Sequence, residues 1–148
     1  MANSDKKSLT LENQLCFPLY VASRKVISLY HSYLKPLNIT YTQYIVLTAL
    51  WNNDGITVSE LGKTLFLDNG TLTPLLKKME LQGYLTRTRS IKDERVVILS
   101  LTKAGWDMKE KCKDIQTSVE NSVDIDKDNA DSLYSLLNSV IKKVSDNE

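Results

Sequence analysis

The chain has 148 residues, of which 42% are hydrophobic and 25% charged, and its formal net charge is +1. These values are those of one ordinary soluble domain, and no apolar run reaches the roughly 18 residues of a membrane span, so membrane proteins are excluded. The N-terminal segment lacks the apolar core of a secretory signal, so we expect a cytoplasmic protein, in which two cysteines do not make a disulfide framework.

A long N-terminal helix is predicted. Residues 1–8 look disordered, and Thr10 is a plausible cap for a helix that continues toward Leu37, since apolar side chains recur there in steps of three and four. Pro18 should bend this helix early, because proline removes a backbone amide. Cys16 would then lie about six residues inside the helix, where the helix dipole contributes little.

Two helices in the middle of the chain begin with the spacing of a capping box, T-x-x-Q or T-x-x-E. In this motif a hydroxyl and a second side-chain oxygen each accept a hydrogen bond from a backbone amide. The first helix should run from residue 41 to about 53. The second should run from residue 58 to a turn at residues 68–70, because Asp, Asn and Gly favour turns and caps.

A third helix is predicted after this turn. Its leucines and Met79 recur in steps of three and four, which buries one apolar stripe and turns the polar side chains outward. Short hydroxyls and amines near the start of a helix suit the major groove of DNA. The outward residues are Thr71, Thr73, Lys77 and Lys78.

A strand hairpin follows, because the pattern changes from helical to alternating after Gly83. The strands should cover residues 84–89 and 95–101, which completes a winged helix-turn-helix. Such a wing can lie on phosphates or place an arginine in a narrow minor groove. Residues 57–105 hold eight Lys or Arg against five Asp or Glu. The cationic candidates on the wing are Arg87, Arg89, Lys92 and Arg95.

The C-terminal part should be helical. Thr102 can cap a helix to about residue 121, and a last helix at about 127–144 has a regular apolar stripe that needs a partner surface. The economical arrangement packs the termini of two subunits together, and the alternative folds the last helix back on its own domain. The expected fold is mainly α with a small β-wing. Its parts are an N-terminal dimerisation helix (1–40), the winged helix-turn-helix (41–105) and C-terminal dimerisation helices (106–148).

Cys16 carries the most distinctive chemistry. In one continuous helix it would lie about 21 Å from Tyr30, so the two side chains can meet only between subunits of an antiparallel dimer. Two phenols that donate hydrogen bonds to a thiolate stabilise it, and the thiolate is the form that peroxides attack. The alternative is a buried small hydrophobic side chain, the commoner environment of a free cysteine.

The order of helices and wing, together with the segments DNGTLTPLLKKMELQGYLTRTRS, KDER and SLTKAG, resembles the MarR family of dimeric winged-helix repressors. More narrowly, the segments LENQLCFPLY, NITYTQY and FLDNGTLTPLLKKME resemble its OhrR branch, which senses organic hydroperoxides. The resemblance implies that Cys16 is oxidised to a sulfenic acid. It also implies that Tyr30 and Tyr41 of the partner subunit donate hydrogen bonds to this sulfur, with Tyr20 a further candidate for the same pocket.

The resemblance also implies a DNA partner. A homodimer would bind a pseudo-palindromic double-stranded operator while Cys16 is reduced, and would release it on oxidation by an organic hydroperoxide. Arg95, oriented by Asp93, would enter the minor groove. The residues facing the major groove would be Asn69, Thr71, Thr73, Lys77 and Lys78.

Cys112 is expected at an exposed helical site between two lysines. Some relatives use a second cysteine to resolve the sulfenic acid as an intersubunit disulfide, whereas others use a low-molecular-weight thiol. Cys112 lies earlier than a resolving cysteine should, which favours the second scheme. His31 and the cysteines show no metal-ligand spacing, so we expect neither a metal nor a cofactor.

Other functions stay open at this stage. The first alternative is a MarR-type repressor that responds to a small aromatic ligand, with Cys16 incidental. A thiol peroxidase using Cys16 is a second alternative, but the surrounding chemistry of such an enzyme is missing, so we expect no enzyme. A winged helix that docks on protein and has no DNA affinity is the third.

Overall fold

The computed structural model describes residues 10–147, and the expectation for residues 1–8 lies outside this part. The order of helices and hairpin is that of a winged helix-turn-helix flanked by helices, which confirms the predicted fold class. The elements are α1 (Cys16–Leu34), α2 (Tyr41–Asn52), α3 (Val58–Leu65), α4 (Asn69–Leu81), β1 (Leu85–Arg89), β2 (Val97–Leu101), α5 (Lys103–Cys112), α6 (Ile115–Val123) and α7 (Lys127–Ser145), with single 3-10 turns at Leu11–Asn13 and Lys35–Leu37.

The first helix begins later than the sequence predicts. Leu11–Asn13 forms an isolated 3-10 turn, the side chain of Thr10 makes no capping hydrogen bond, and α1 starts at Cys16. Pro18 therefore lies in the first turn of α1, where a backbone amide has no partner within the helix, so the proline need not bend it. The prediction that Cys16 lies inside the helix is wrong: the residue stands beside the positive end of the helix dipole.

Both predicted capping boxes are present, which explains where α2 and α3 begin. The Thr40 hydroxyl accepts from the Gln43 amide at 3.2 Å, and Gln43 Oε1 accepts from the Thr40 amide at 3.0 Å. The Thr57 hydroxyl accepts from the Glu60 amide at 3.1 Å, and Glu60 Oε2 accepts from the Thr57 amide at 2.7 Å. Each box satisfies two backbone amides that the helix itself leaves unpaired.

The wing is an antiparallel pair of strands in which Arg87 lies opposite Leu99. Its second strand is also bonded to the segment before α3. The Leu99 amide donates to the Ile56 carbonyl at 2.8 Å, and the Leu101 amide donates to Asp54 Oδ1 at 2.9 Å. The wing is therefore anchored to the helical part along β2.

Residues 10–115 belong to one compact unit, which holds the hydrophobic core. Every element from α1 to α4, and both strands, contribute leucines that are at most 1% exposed, and burial of such side chains is the main stabilising contribution to a core of this kind. They are Leu34, Leu47, Leu50, Leu61, Leu72, Leu76, Leu85 and Leu99.

The helix predicted from residue 103 to about 121 is two helices, since α5 ends at Cys112 and α6 begins at Ile115. Buried side chains keep helical spacing across the break, at Met108, Cys112, Ile115 and Val119. The two residues between the helices include neither Gly nor Pro. Periodicity therefore conceals the interruption.

Residues 116–147 belong to a second unit, which includes α7. Asp126 caps this helix by accepting a hydrogen bond from the Asn129 amide at 3.0 Å. Its apolar stripe lies exposed on the single chain, at Leu133, Leu136, Val140, Ile141 and Val144. In the part of the chain that the structure describes, no helix combines the length and the apolar character needed to cross a membrane.

Candidate functional site

The exposed face of α4 carries the residues predicted to read the major groove. Asp68 caps the helix by accepting from the Thr71 amide at 2.7 Å, which fixes its start. Leu72, Leu76 and Met79 are buried on the opposite face. The predicted residues Asn69, Thr71, Thr73, Lys77 and Lys78 are all exposed.

The tip of the wing is braced by its own hydrogen bonds. Asp93 Oδ1 accepts from the Arg95 amide at 3.0 Å and from Arg95 Nε at 3.2 Å, so the carboxylate orients the guanidinium. The side chain of Arg95 remains 92% exposed. Arg89 donates to the carbonyl of Glu94 at 3.0 Å, and the Lys92 amide donates to the Ser90 hydroxyl at 3.2 Å. The tip thus presents cations from an ordered turn.

An open cleft brings α4 and the wing together. Asn69 and Thr73 line it from the helix, while Arg87 and Arg95 line it from the wing. Candidate residues from two separate motifs therefore share one surface, as a nucleic-acid interface requires.

Arg87 has a different environment from the other predicted cations. Its Nε and Nη2 donate to Glu80 Oε2 at 3.0 and 2.8 Å, and its backbone amide donates to Glu80 Oε1 at 3.0 Å. These hydrogen bonds hold the pKa of the Glu80 carboxyl below its usual range. No pattern in the sequence indicates the role of Glu80, because its contact with Arg87 joins a helix to a strand across a turn and leaves no periodic signal.

Cys16, at the start of α1, is exposed. Tyr20 lies one turn further along the helix and is 59% exposed. The guanidinium of Arg24 lies 5.3 Å from the centroid of the Tyr20 ring, a cation–π contact. Tyr20 therefore has a partner of its own on the surface of α1.

The other two predicted partners of the sulfur are in contact with each other. The rings of Tyr30 from α1 and Tyr41 from α2 have centroids 4.9 Å apart. Tyr44 packs against both, with centroid distances of 5.5 and 6.3 Å, and Trp51 follows at 6.4 Å from Tyr44. Burial raises the pKa of the Tyr41 phenol, so it stays protonated and able to donate at neutral pH.

Within one chain, Cys16 and this aromatic pair lie at opposite ends of α1. Cys16 is the first residue of the helix and Tyr30 is near its last turn, which places their backbones about 21 Å apart. The structure brings Tyr30 and Tyr41 together, but it does not bring the sulfur of the same chain to them.

The expectation that Cys112 is exposed is wrong. The residue is 3% exposed and lies one helical turn after the buried Met108, so it continues the apolar stripe of α5. Burial raises the pKa of its thiol, and the nearby charge of Lys111 acts in the opposite direction. Within residues 10–147, no group of three His, Cys, Asp or Glu side chains is placed to hold a metal ion.

Gln43 has a second role that its capping spacing does not reveal. Its side chain is 1% exposed and its Nε2 donates to Gln82 Oε1 at 2.7 Å. A buried side-chain amide without a hydrogen-bond partner costs free energy, so this bond is favoured to persist. This bond therefore joins the first turn of α2, which carries Tyr41, to the end of α4.

Comparison with known proteins agrees with this geometry. The family described as transcriptional regulator SarA/Rot matches residues 28–114. The chain is 47% identical over 139 residues to the HTH-type transcriptional regulator SarZ of Staphylococcus saprophyticus, covering 94% of this chain and 95% of that protein. It is 46% identical over 140 residues to the organic hydroperoxide resistance transcriptional regulator of Bacillus subtilis, covering 91% and 95%.

A solved structure of reduced AbfR bound to DNA has a TM-score of 0.77 and 34% identity, and the match covers 90% of this chain and 94% of that one. The predicted membership of a family of regulators, rather than of enzymes, is confirmed by these relatives. The chain belongs to the SarA/Rot family of MarR-like winged-helix transcriptional regulators.

Proposed function

We propose that this regulator is a homodimeric repressor that binds operator DNA while Cys16 is reduced and releases it when an organic hydroperoxide oxidises Cys16. The proposal depends chiefly on one observation: an exposed cysteine at the start of α1 and a tyrosine pair near its end. Antiparallel contact between two copies of α1 places each sulfur beside Tyr30 and Tyr41 of the partner subunit. The names of the relatives from Bacillus subtilis and of reduced AbfR support a redox role.

A second copy of the chain also covers apolar side chains that are exposed on the single chain. Leu15, Phe17 and Ile27 are exposed at and along α1, and the stripe of α7 is exposed as well. Apolar patches of this kind mark interaction surfaces, and most soluble homo-oligomers are two-fold dimers. In such a dimer the α4 helix of each subunit is the recognition helix. The two α4 helices enter successive major grooves about 34 Å apart, which requires a pseudo-palindromic operator.

The oxidation step balances without any metal or cofactor. The Cys16 thiolate attacks the outer oxygen of the hydroperoxide, a sulfur–oxygen bond forms, and the oxygen–oxygen bond breaks. The sulfur loses two electrons and becomes a sulfenic acid, while the alkoxide leaves and takes up a proton to become an alcohol.

Loss of the thiolate removes the acceptor of the phenol hydrogen bonds and displaces the tyrosines. Because Tyr41 lies in the first turn of α2, which Gln43 joins to the end of α4 through Gln82, a shift of α2 is carried to the recognition helix. When the two α4 helices of the dimer move in this way, the distance between them no longer matches the spacing of the two operator half-sites.

Burial of Cys112 disfavours it as a resolving thiol, so a low-molecular-weight thiol condenses with the sulfenic acid and releases water.

The test compares Cys16→Ser with the matched variant Cys112→Ser. The probe is a duplex that the wild-type protein selects from a randomised pool, and binding is followed by fluorescence anisotropy before and after one equivalent of cumene hydroperoxide. Wild type and Cys112→Ser should release the duplex and gain the mass of one oxygen atom on the peptide that contains Cys16. Cys16→Ser should stay bound.

Normal peroxide-driven release by Cys16→Ser would exclude the sensor assignment. If that variant released DNA only when phenolic compounds were added under reducing conditions, the ligand-responsive alternative would be favoured. A salt-dependent affinity of the wild-type protein for the duplex checks DNA binding itself, since phosphate contacts weaken as salt rises.

A further inference from the structure

The Glu80 carboxylate uses both of its oxygens on one residue of the wing. Oε2 accepts from two nitrogens of the Arg87 guanidinium, at 3.0 and 2.8 Å, and Oε1 accepts from the Arg87 backbone amide at 3.0 Å. Glu80 stands in the last turn of α4, and Arg87 is the middle residue of β1. The Glu80 side chain of α4 is thus hydrogen-bonded to both the backbone and the side chain of Arg87 in the wing.

The bond spans the joint between these two elements. Only residues 82–84 connect α4 to β1, and Gly83 adopts φ of 82°, a left-handed conformation that suits glycine. A glycine turn has little stiffness of its own, so contacts across it must set the angle between helix and wing. A partly exposed ion pair contributes little to stability, but the two parallel hydrogen bonds of an arginine to a carboxylate are directionally specific. Here a hydrogen bond from the Arg87 backbone amide is added.

We propose that Glu80 and Arg87 are positioning residues, which hold the wing at a fixed angle to α4. When α4 lies in the major groove, that angle brings Arg95 to the adjacent minor groove. Arg87 then contributes to DNA binding by positioning the wing, and it makes no phosphate contact of its own. The inference rests on the proposed DNA binding.

The sign of one mutational effect separates this role from simple electrostatics. Removing the Glu80 carboxylate takes a negative charge away from the interface and releases the Arg87 guanidinium. If charge alone mattered, DNA binding would tighten, and a new phosphate contact would steepen the salt dependence of log K by about 0.9. A positioning role requires the opposite result, weaker binding.

The experiment measures affinity for the duplex selected by the wild-type protein, at several salt concentrations. Glu80→Ala should bind about tenfold more weakly, which corresponds to about 1.4 kcal/mol. Glu80→Gln keeps one acceptor oxygen for the Arg87 amide and should bind with intermediate affinity. The matched control is Glu94→Ala, which removes an exposed carboxylate from the wing without touching the Glu80–Arg87 contact, and it should bind at least as tightly as wild type.

Footprinting supplies a readout that general loss of stability would not produce. Hydroxyl-radical cleavage should show lost minor-groove protection at the flanks in Glu80→Ala, while guanine N7 methylation still shows major-groove protection at the centre of each half-site. Combining Glu80→Ala with Arg87→Gln should weaken binding no further, since both changes open the same contact. A double variant weaker than Glu80→Ala would mean that Arg87 touches DNA itself and would overturn the proposal.

Equal or tighter binding by Glu80→Ala would also overturn it. If that variant proved unfolded at the assay temperature, Glu80→Gln would decide by the same comparison with wild type. Failure of the wild-type protein to select any duplex would instead refute the proposed function, so the two failures are distinguishable.

Discussion

Gly105 occupies the closest approach between α5 and the base of the wing, and its replacement by alanine should be severely destabilising. A Cβ at this position would overlap the carbonyl oxygen of Tyr84 and lie 3.0 Å from Leu101 Cδ2. The Tyr84 carbonyl cannot turn away cheaply, because it already accepts from the Thr102 amide at 3.1 Å. Relief therefore requires α5 to move away from the hairpin.

The expected loss follows from three contributions. Overpacking costs about 1–3 kcal/mol, and the upper end applies here because the obstacle is backbone. A shift of α5 also strains the hydrogen bond from Trp51 Nε1 to the Gly105 carbonyl, at 3.0 Å, whose loss costs about 1 kcal/mol. Alanine regains about 1 kcal/mol of helix propensity, so the net loss in the free energy of unfolding should be about 3 kcal/mol.

Urea unfolding at one fixed protein concentration measures this loss. With a slope of about 2 kcal/mol/M, the midpoint should fall by about 1.5 M. The control is Gly70→Ala, whose Cβ would meet only the side-chain oxygen of Asp68 at 3.1 Å, and its loss should stay below about 1 kcal/mol. A midpoint for Gly105→Ala that matched the control would refute the argument from close approach.

Two further predictions concern the reactivity of the two thiols and the stability of the protein at low pH. In the native protein, a thiol-specific chromogenic disulfide should react at Cys16 quickly and at Cys112 only after urea is added, and equal rates would contradict the burial of Cys112. The hydrogen bond from the Thr71 amide lowers the pKa of Asp68, so its contribution to stability is present above the unfolded pKa of about 3.9 and is lost as pH falls through the lower folded value. Asp68→Asn should therefore lose less stability than wild type between about pH 5 and pH 3, as measured by thermal melts, and parallel curves would argue against this linkage.

Signals carried by neighbouring residues were sufficient to predict much of the fold. The spacing of Thr40 with Gln43 and of Thr57 with Glu60 identifies two helix starts, because each cap is a local hydrogen-bond pattern. The start of α1 is different. Thr10 offers a hydroxyl in the right place, and only the chain's actual course through a 3-10 turn shows that the helix begins at Cys16.

Contacts between distant elements were beyond the reach of sequence reasoning. The lysines on both sides of Cys112 suggest an exposed site, yet its helical phase with Met108 places it in the core. The bond between Gln43 and Gln82 joins residues in separate helices, and no spacing rule anticipates it. Only the family resemblance identifies Tyr30 and Tyr41 as a functional pair.

The hydrogen bonding of the wing also bears on its behaviour at high concentration. A small exposed hairpin offers outward-pointing amides to which a strand of another molecule can add, a common start of aggregation. Here Leu99 and Leu101 already donate on the outer side of β2, and the amide at the centre of β1, that of Arg87, donates to a carboxylate. The hairpin can therefore project toward a ligand while offering little backbone for intermolecular strand pairing.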